Sequence, residues 1–245
     1  MKSILLTNDD GIEAEGLKSL LNELRHIAHV LVVAPDQERS AVSHGLEIRT
    51  RLKFEEAGQD CFTLNGTPAD CVIYALEKLF ITPPDIVISG INHGANLGDD
   101  VMYSGTVAAA REAARHGIPS IAVSQGFEDG KKIRFREGIE FICGMVNAML
   151  NDDLHGELLL NVNIPVGKIK GTKITRHGCS VHPGHFNNSG GGRGSLPAFL
   201  NDGFVTDRQA VSDGNVSITP LQRDQTDYVA ARAFREAAEQ WFGKR

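Results

Sequence analysis

The sequence is poor in cysteine and has no long apolar run. Its 245 residues include four scattered cysteines without a C-x-x-C pair, so we expect buried, reduced thiols and neither a disulfide framework nor a zinc site. No segment approaches the roughly 20 apolar residues of a membrane-spanning helix. The first apolar stretch stops at two acids and is too short for a secretory signal. These absences predict a cytoplasmic protein with no membrane partner.

Positive charge is also scarce. The 25 lysines and arginines face 31 aspartates and glutamates, which gives a formal net charge of -6. Surfaces that bind nucleic acid normally carry a basic excess, so we do not expect a nucleic acid partner. A cation or a helix end can still hold one small anion locally. The hydrophobic content of 41% and the charged content of 23% are typical of a soluble globular enzyme, and the length suits a single domain with a substantial core.

The first half of the chain alternates apolar strands with helices. "SILLT", "HVLVVAP", "PDIVISGIN" and "IPSIAVS" are unbroken apolar runs, which are typical of parallel strands covered on both faces. Leu17, Leu20, Leu21 and Leu24 recur at helical spacing, and "TVAAAREAARHG" is an alanine-rich helix closed by glycine. "NGTPADCVIYALEKLF" predicts another helix, with Thr67 as N-cap, Pro68 at its first position and Asp70 three residues after the cap. The repeated strand-helix-strand order predicts an α/β fold with an open, doubly wound, mostly parallel sheet.

The second half has a weaker pattern. We expect a helix in "GIEFICGMVNAML", strands in "LLLNVNIP", "KITRHG" and "VSITPL", and a terminal helix with Phe234 and Trp241 on one face. "HPGHFNNSGGGRGSLP" has the composition of a flexible loop. Without a clear linker, residues 1–245 are expected to form one domain, in which a flexible arm at about 180–225 contributes to an interface between subunits.

Polar residues follow several predicted strands, where ligands bind in open α/β sheets. Asp9 and Asp10 follow the first strand. An Asp-Gly turn is the more ordinary explanation of the dipeptide alone. At a strand end, however, both carboxylates can converge on a cation, and two oxygen acids without His or Cys partners suit Mg²⁺, Mn²⁺ or Ca²⁺.

Other strand-end loops offer neutral oxygen atoms and a helix start. Ser40 and Asn92 are each more ordinarily a cap or a loop residue, but their oxygen atoms could complete a mostly carboxylate shell around a cation. Ser104, Gly105 and Thr106 open the alanine-rich helix. Either hydroxyl residue could be a plain N-cap, and the free N–H groups of that helix end also suit a phosphate group.

Several motifs together resemble the survival protein E (SurE) family of nucleotidases. The resemblance is continuous over about the first half of the chain and rests on "LLTNDDGIEAEGL", "VVAPDQERSA", "NGTPADCV", "DIVISGINHGANLGDDVMYSGTVAAA" and "IPSIAVS". It implies a Rossmann-like core, a C-terminal β-rich arm with a terminal helix, and dimers or tetramers that exchange C-terminal segments. The family's common "GPN" is "GAN" here, with Ala95 in place of proline and Asn96 kept.

The resemblance also implies an activity and a site. The activity is metal-dependent hydrolysis of nucleoside 5′- and 3′-monophosphates, and in some members of short polyphosphate, with release of inorganic phosphate. One divalent cation per subunit is implied, Mg²⁺ or Mn²⁺, with Ca²⁺ as an occupant in crystals. Its implied ligands are Asp9, Asp10, Ser40 and Asn92. The implied phosphate pocket is lined by Asn96, Ser104, Gly105 and Thr106.

Two mechanistic questions and two alternative functions stay open at this point. The nucleophile is either water activated by the cation or a carboxylate of the aspartate pair, and neither His44 nor His93 is assigned as general acid. A phospho-receiver module would need a phospho-accepting aspartate after the middle strand and a lysine after the last strand, but "VISGIN" offers no such aspartate and "IAVSQG" has no lysine at its end. A non-catalytic nucleotide-binding subunit would bind ligand without turnover. The motifs favour the phosphatase.

Overall fold

The structure is a computed structural model that describes residues 2–127, 133–152, 158–178 and 203–243. It contains one ten-stranded sheet with the strand order β3-β4-β2-β1-β5-β6-β7-β10-β8-β9. The strands are β1 Ser3–Thr7, β2 His29–Pro35, β3 Phe54–Gly58, β4 Cys61–Leu64, β5 Ile86–His93, β6 Ser120–Gln125, β7 Leu159–Ile164, β8 Gly171–Arg176, β9 Val205–Thr206 and β10 Asn215–Pro220. The helices are α1 Glu15–Leu24, α2 Pro68–Lys78, α3 Gly105–Arg115, α4 Arg136–Asn151, α5 Asp207–Ser212 and α6 Tyr228–Phe242, with a short 3₁₀ helix at Gly98–Met102.

The unbroken apolar runs form the centre of the sheet. β1 pairs in parallel with β2 and β5, β5 pairs in parallel with β6, and β6 pairs in parallel with β7. Alternate residues of β1 face opposite layers: Ile4 and Leu6 pack with α1 and α4, whereas Leu5 packs with α2 and α3. The sheet is therefore covered by helices on both faces, and the predicted doubly wound, mostly parallel α/β fold is confirmed.

Local signals at the helix ends agree with the structure. Thr67 caps α2 in a reciprocal capping box: its hydroxyl accepts from the Asp70 amide at 3.1 Å, and the Asp70 carboxylate accepts from the Thr67 amide at 2.9 Å. Pro68 occupies the first turn, where its missing N–H has no intrahelical partner to lose. On α1 the four leucines recognised by their spacing are buried. These predicted starts and faces are confirmed.

The sequence did not predict the hairpin of β3 and β4. β3 reads "FEEAG" and is largely exposed at the sheet edge, so it lacks the continuous apolar run by which the central strands were recognised. Its anchor is aromatic: the Phe54 ring stacks on Phe62 at 4.8 Å and on Tyr74 at 4.6 Å between centroids. Edge strands are often short and charged, and such a strand leaves little apolar pattern in a sequence.

The C-terminal part lies partly in the main sheet. Within the predicted arm at about 180–225, β10 pairs antiparallel with β7 and in parallel with β8. β9 and α5 were not predicted and are short. The glycine-rich loop "HPGHFNNSGGGRGSLP" lies outside the described residues. The role of this region in a subunit interface stays a prediction.

The topology gathers the predicted site residues at one edge. Asp9 and Asp10 follow β1, Ser40 follows β2, and Asn92 is the penultimate residue of β5. Because β1, β2 and β5 run in parallel, their carboxyl ends meet at the same edge of the sheet. The N-terminus of α3 reaches this edge as well, because Gly105 lies against Asp9.

Candidate active site

Asp9 is held at the start of α3. Asp9 is only 5% exposed, and its Oδ1 accepts a short hydrogen bond from the Thr106 hydroxyl. A Cβ atom on Gly105 would lie 2.9 Å from the Asp9 Cβ and 3.1 Å from its Oδ2, so only glycine allows this approach. The positive end of the α3 dipole faces the carboxylate.

Burial is the main electrostatic influence on Asp9. It raises the pKa of this carboxyl to about 6, and the negative charge of Asp10 acts in the same direction, while hydrogen bonds from the Thr106 side chain and backbone lower it. Within the described residues, no lysine, arginine or histidine forms an ion pair with Asp9. A buried carboxylate of this kind is costly without a compensating charge.

Asp10 lies on the other side of the same turn. Its Oδ2 accepts from the His93 amide at 3.1 Å. Burial raises the pKa of Asp10, and the bond and charge of His93 partly oppose this. The turn is shaped by Asn8, whose side-chain amide donates to the Gly11 carbonyl at 2.8 Å, and by Gly11 at a φ of +94°. Asp10, which follows β1, is therefore hydrogen-bonded to the last residue of β5.

Asn92 stands beside this contact. Its Nδ2 donates to the Gly94 carbonyl at 2.8 Å, which leaves Oδ1 as an acceptor. β5 shifts register against β6 between Ser89 and Asn92. In that irregular segment, a Cβ on Gly90 would lie 2.3 Å from the Val123 carbonyl oxygen, so the glycine of "SGIN" is needed for close strand packing.

Ser40 follows a residue whose backbone is hydrogen-bonded to Asp9. The Arg39 amide donates to the Asp9 carbonyl oxygen at 2.7 Å, which brings the loop after β2 against the aspartates. The Ser40 hydroxyl itself is exposed and donates to Glu38 Oε1 at 2.7 Å. A hydroxyl that donates its proton keeps its lone pairs, so the Ser40 oxygen stays available as a ligand although its proton is directed to Glu38.

Asn96 anchors the glycine-rich loop. Its Nδ2 donates to the Ser124 hydroxyl at 2.7 Å, and its amide donates to Asn163 Oδ1 at 2.8 Å. Its carbonyl oxygen accepts from Nδ2 of Asn161 and of Asn163 at 2.9 and 3.0 Å. The side-chain amide of Asn96 is thus already engaged by the end of β6.

The side chains that bond to Asn96 were not predicted from the sequence. Asn161 and Asn163 are fully buried polar residues in "LLLNVNIP", and two asparagines in an otherwise apolar strand were the available signal. Buried amides need hydrogen-bond partners, and here that partner is the loop of the site. Ser124 gave no comparable signal, because a lone serine at a strand end is common.

The two hydroxyl groups at the start of α3 make different hydrogen bonds. Ser104 is the N-cap, and its Oγ accepts from the Val107 amide at 3.1 Å. Thr106 donates to Asp9. The hydroxyl of Thr106 is thus directed at a carboxylate of the site, where sequence reasoning had placed a phosphate. The N–H groups at the start of a helix can also bind an anion.

The donor set fits a hard divalent cation. Asp9 and Asp10 provide carboxylate oxygens, Asn92 an amide oxygen and Ser40 a hydroxyl oxygen, and Mg²⁺ and Mn²⁺ favour such oxygen ligands. In the parts of the chain described, no group of three or more His, Cys, Asp or Glu side chains could form a metal cage. The proposed set differs from such a cage because two of its four members are neutral.

A cavity of about 390 Å³ opens beside Asp10. Asp10, Glu15 and His93 contribute polar groups to its lining, and Ile133 and Phe135 contribute apolar surface. The His93 ring also packs edge-on against Phe127, with 5.1 Å between the ring centroids. A cavity of this volume with mixed polar and apolar lining is typical of a small-molecule pocket.

Comparisons with known proteins place this chain in a well-populated group. A family model described as "Survival protein SurE" matches residues 4–182. The 5′-nucleotidase SurE of Pelobacter propionicus is 41% identical over 239 residues, which cover 94% of this chain and 96% of that protein. The 5′-nucleotidase SurE of Pelotomaculum thermopropionicum is 42% identical over 238 residues, covering 92% and 91%.

A solved structure agrees with the fold. The crystal structure of the SurE protein from Aquifex aeolicus superposes with a TM-score of 0.82 at 37% identity, and it covers 96% of this chain and 99% of that one. Among the described residues, no helix combines the length and the apolar character needed to cross a membrane.

Proposed function

Because this chain belongs to the SurE family, we propose that it is a metal-dependent phosphomonoesterase that hydrolyses nucleoside 5′-monophosphates. The proposal extends to nucleoside 3′-monophosphates and to short polyphosphate. It is supported by similar proteins that carry the name 5′-nucleotidase at 41% and 42% identity over nearly the whole chain. The single observation that carries it is the buried Asp9 carboxylate, which Thr106 holds at the start of α3 beside Asp10.

In this proposal Asp9, Asp10, Ser40 and Asn92 hold one divalent cation per subunit, Mg²⁺ or Mn²⁺. Such a cation polarises the phosphate ester and lowers the pKa of a water molecule. Thr106 fixes the orientation of Asp9 by its hydroxyl. The Gly105 N–H at the start of α3 binds a phosphate oxygen, with Ser104 as the N-cap. The next two amides already donate, that of Thr106 to Asp9 and that of Val107 to Ser104 Oγ.

The substrate's nucleoside would lie in the cavity beside Asp10. The apolar surface of Ile133 and Phe135 suits a nucleobase, and the exposed His93 ring offers a stacking surface. In the net reaction the phosphorus–oxygen ester bond breaks, water supplies the oxygen that joins phosphorus, and the leaving nucleoside oxygen gains a proton. Asn96 supports the pocket by holding the glycine-rich loop against β6 and β7.

Assembly as a homodimer or homotetramer belongs to the same proposal. It is supported by exposed aromatic residues on α6, where Phe234 is 65%, Trp241 66% and Phe242 75% exposed. Light scattering coupled to size exclusion tests the subunit number. The cytoplasmic location remains a prediction from sequence.

The activity is tested by phosphate release. Metal-stripped protein is incubated with 5′-AMP, 3′-AMP or tripolyphosphate, with Mg²⁺ or Mn²⁺ added to parallel samples. We expect release from 5′-AMP only when a cation is present, and none from the Asp9→Asn variant. Asp152→Asn, which changes an exposed acid after α4, is the matched control and should remain active. Binding of AMP without turnover under all conditions would contradict the proposal and favour a nucleotide-binding subunit.

A further inference from the structure

The expected ligands differ in how they are held. Asp9, Asp10 and Asn92 lie at or next to strand ends, whereas Ser40 lies in the long connection between β2 and β3. Two residues just after Ser40 have left-handed backbone angles without being glycine: Ala41 has a φ of 55° and Ser43 a φ of 53°. Such angles are costly for residues with a Cβ and persist where surrounding contacts hold them.

Backbone bonds hold part of this loop. The Arg39 amide bonds to the Asp9 carbonyl before Ser40, and the Ser43 amide donates to the Tyr103 carbonyl at 3.0 Å after it. Further on, the Thr67 hydroxyl donates to the Gly45 carbonyl at 2.8 Å. Each of these contacts is neutral.

One contact of the loop is charged and reaches α3. His44 Nε2 lies 2.7 Å from Glu112 Oε2, 68 residues away in the chain. The Glu112 side chain is only 4% exposed, and His44 is 26% exposed. Glu112 lies on the helix whose first turn holds Asp9 through Thr106. The bond therefore joins the loop of one expected ligand to the helix that orients another.

Glu112 is held as a carboxylate by its neighbours. Burial would raise its pKa, but the bond from His44 and the charges of Arg115, His44 and His116 keep the pKa below its ordinary value. Arg115 lies 3.2 Å from Oε2, and His116 lies 3.3 Å from Oε1. Arg115 and His116 belong to α3 or its cap, so only His44 connects this carboxylate to the Ser40 loop among these three partners.

We propose that His44 is a positioning residue for the metal site, because its bond to Glu112 keeps the Ser40 hydroxyl within reach of the cation held by Asp9 and Asp10. This inference rests on the proposed function, since it assumes that Ser40 is a ligand. His44 makes no contact with substrate or cation in this role. It acts by limiting the positions open to the loop.

The test measures Mn²⁺ binding to metal-stripped protein by calorimetry, without substrate. We expect His44→Ala to raise the Mn²⁺ dissociation constant about tenfold. This is the lower end of the loss of metal affinity seen when residues that orient metal ligands are replaced. His116→Ala is the matched control: it removes the other histidine from the same carboxylate without touching the loop, and it should bind Mn²⁺ like the wild type.

A double-mutant cycle separates positioning from a general structural effect. In a Ser40→Ala background the hydroxyl ligand is already absent, so adding His44→Ala should weaken Mn²⁺ binding by less than twofold. An equal tenfold loss in both backgrounds would overturn the inference. If His44→Ala reduces the folded fraction measured by circular dichroism, Glu112→Gln, which keeps the side-chain shape, replaces it in the same cycle.

Failure of this inference is distinguishable from failure of the proposed function. Wild-type protein that binds Mn²⁺ and releases phosphate from 5′-AMP, with His44→Ala binding Mn²⁺ equally well, overturns the role of His44 alone. Wild-type protein that binds no Mn²⁺ overturns the metal site and this inference with it.

Discussion

The two sides of the candidate site are built in different ways. At the end of β1, Asp9 is 5% exposed and is fixed by Thr106, Gly105 and the start of α3. At the end of β2, the Ser40 hydroxyl is exposed and bonds to its near neighbour Glu38. In the proposed metal site, strand ends would therefore supply the charged ligands, whereas a loop would supply a neutral one whose position depends on remote contacts.

The largest effect is expected from the strand-end side. Asp9→Asn removes one of two carboxylates, and we expect a loss of about 1000-fold or more in kcat/KM for 5′-AMP, equivalent to about 4 kcal/mol of transition-state stabilisation. Ser40→Ala, on the loop side, should lose only about tenfold because a water molecule can replace a neutral oxygen ligand. Equal losses in the two variants would break the comparison.

Thr106→Val should have the next largest effect. The variant keeps the shape of the side chain but removes the hydroxyl that orients Asp9. We expect Mn²⁺ affinity to fall between about tenfold and 100-fold. Thr106→Ser retains the hydroxyl and is the control. Wild-type affinity in Thr106→Val would mean that the helix end alone is enough to hold Asp9.

Gly105→Ala tests the close approach of α3 to Asp9. The added Cβ would lie 2.9 Å from the Asp9 Cβ and 3.2 Å from Pro68 Cγ, so we expect a loss of about 1–3 kcal/mol in the free energy of unfolding. Gly144→Ala is the control on α4, since nothing lies within 4 Å of its added Cβ. That control should gain up to about 1 kcal/mol. Urea unfolding of both variants measures these differences. An unchanged free energy of unfolding in Gly105→Ala would contradict the close packing of α3 against Asp9.

The smallest effect is the pH dependence of stability that comes from Glu112, the partner of His44 in the Ser40 loop. The folded-state pKa of Glu112 lies below its ordinary value of 4.5, so ionised Glu112 stabilises the fold above about pH 4.5. This contribution is lost as the pH falls below that value. The difference in unfolding free energy between wild type and Glu112→Gln should therefore narrow as the pH falls below about 4.5. A difference that grows over that pH range would contradict the sign.

Sequence reasoning succeeded where the pattern has a direct physical cause. Unbroken apolar residues such as Ile4 to Leu6 require cover on both faces of a sheet, and the Thr67 cap follows from the unsatisfied amides of a helix start. It failed at β3, because "FEEAG" lies at an exposed edge where charge is tolerated.

For the site, residue types and strand ends were enough to bring Asp9, Asp10 and Asn92 to one edge. The internal contacts were not predictable. The bond from Thr106 to Asp9 and the bond from His44 to Glu112 join residues 97 and 68 positions apart, and a single sequence carries no record of such distances. The same holds for Asn161 and Asn163, whose burial against the Asn96 loop appears only in three dimensions.

The most direct measurement of the central claim is a calorimetric titration of metal-stripped protein with Mn²⁺, wild type beside Asp9→Asn and the Asp152→Asn control. We expect one ion per subunit for the wild type and the control, and no saturable binding for Asp9→Asn. The same stoichiometry and affinity in Asp9→Asn would contradict this expectation, because the aspartate pair would then not be the metal site.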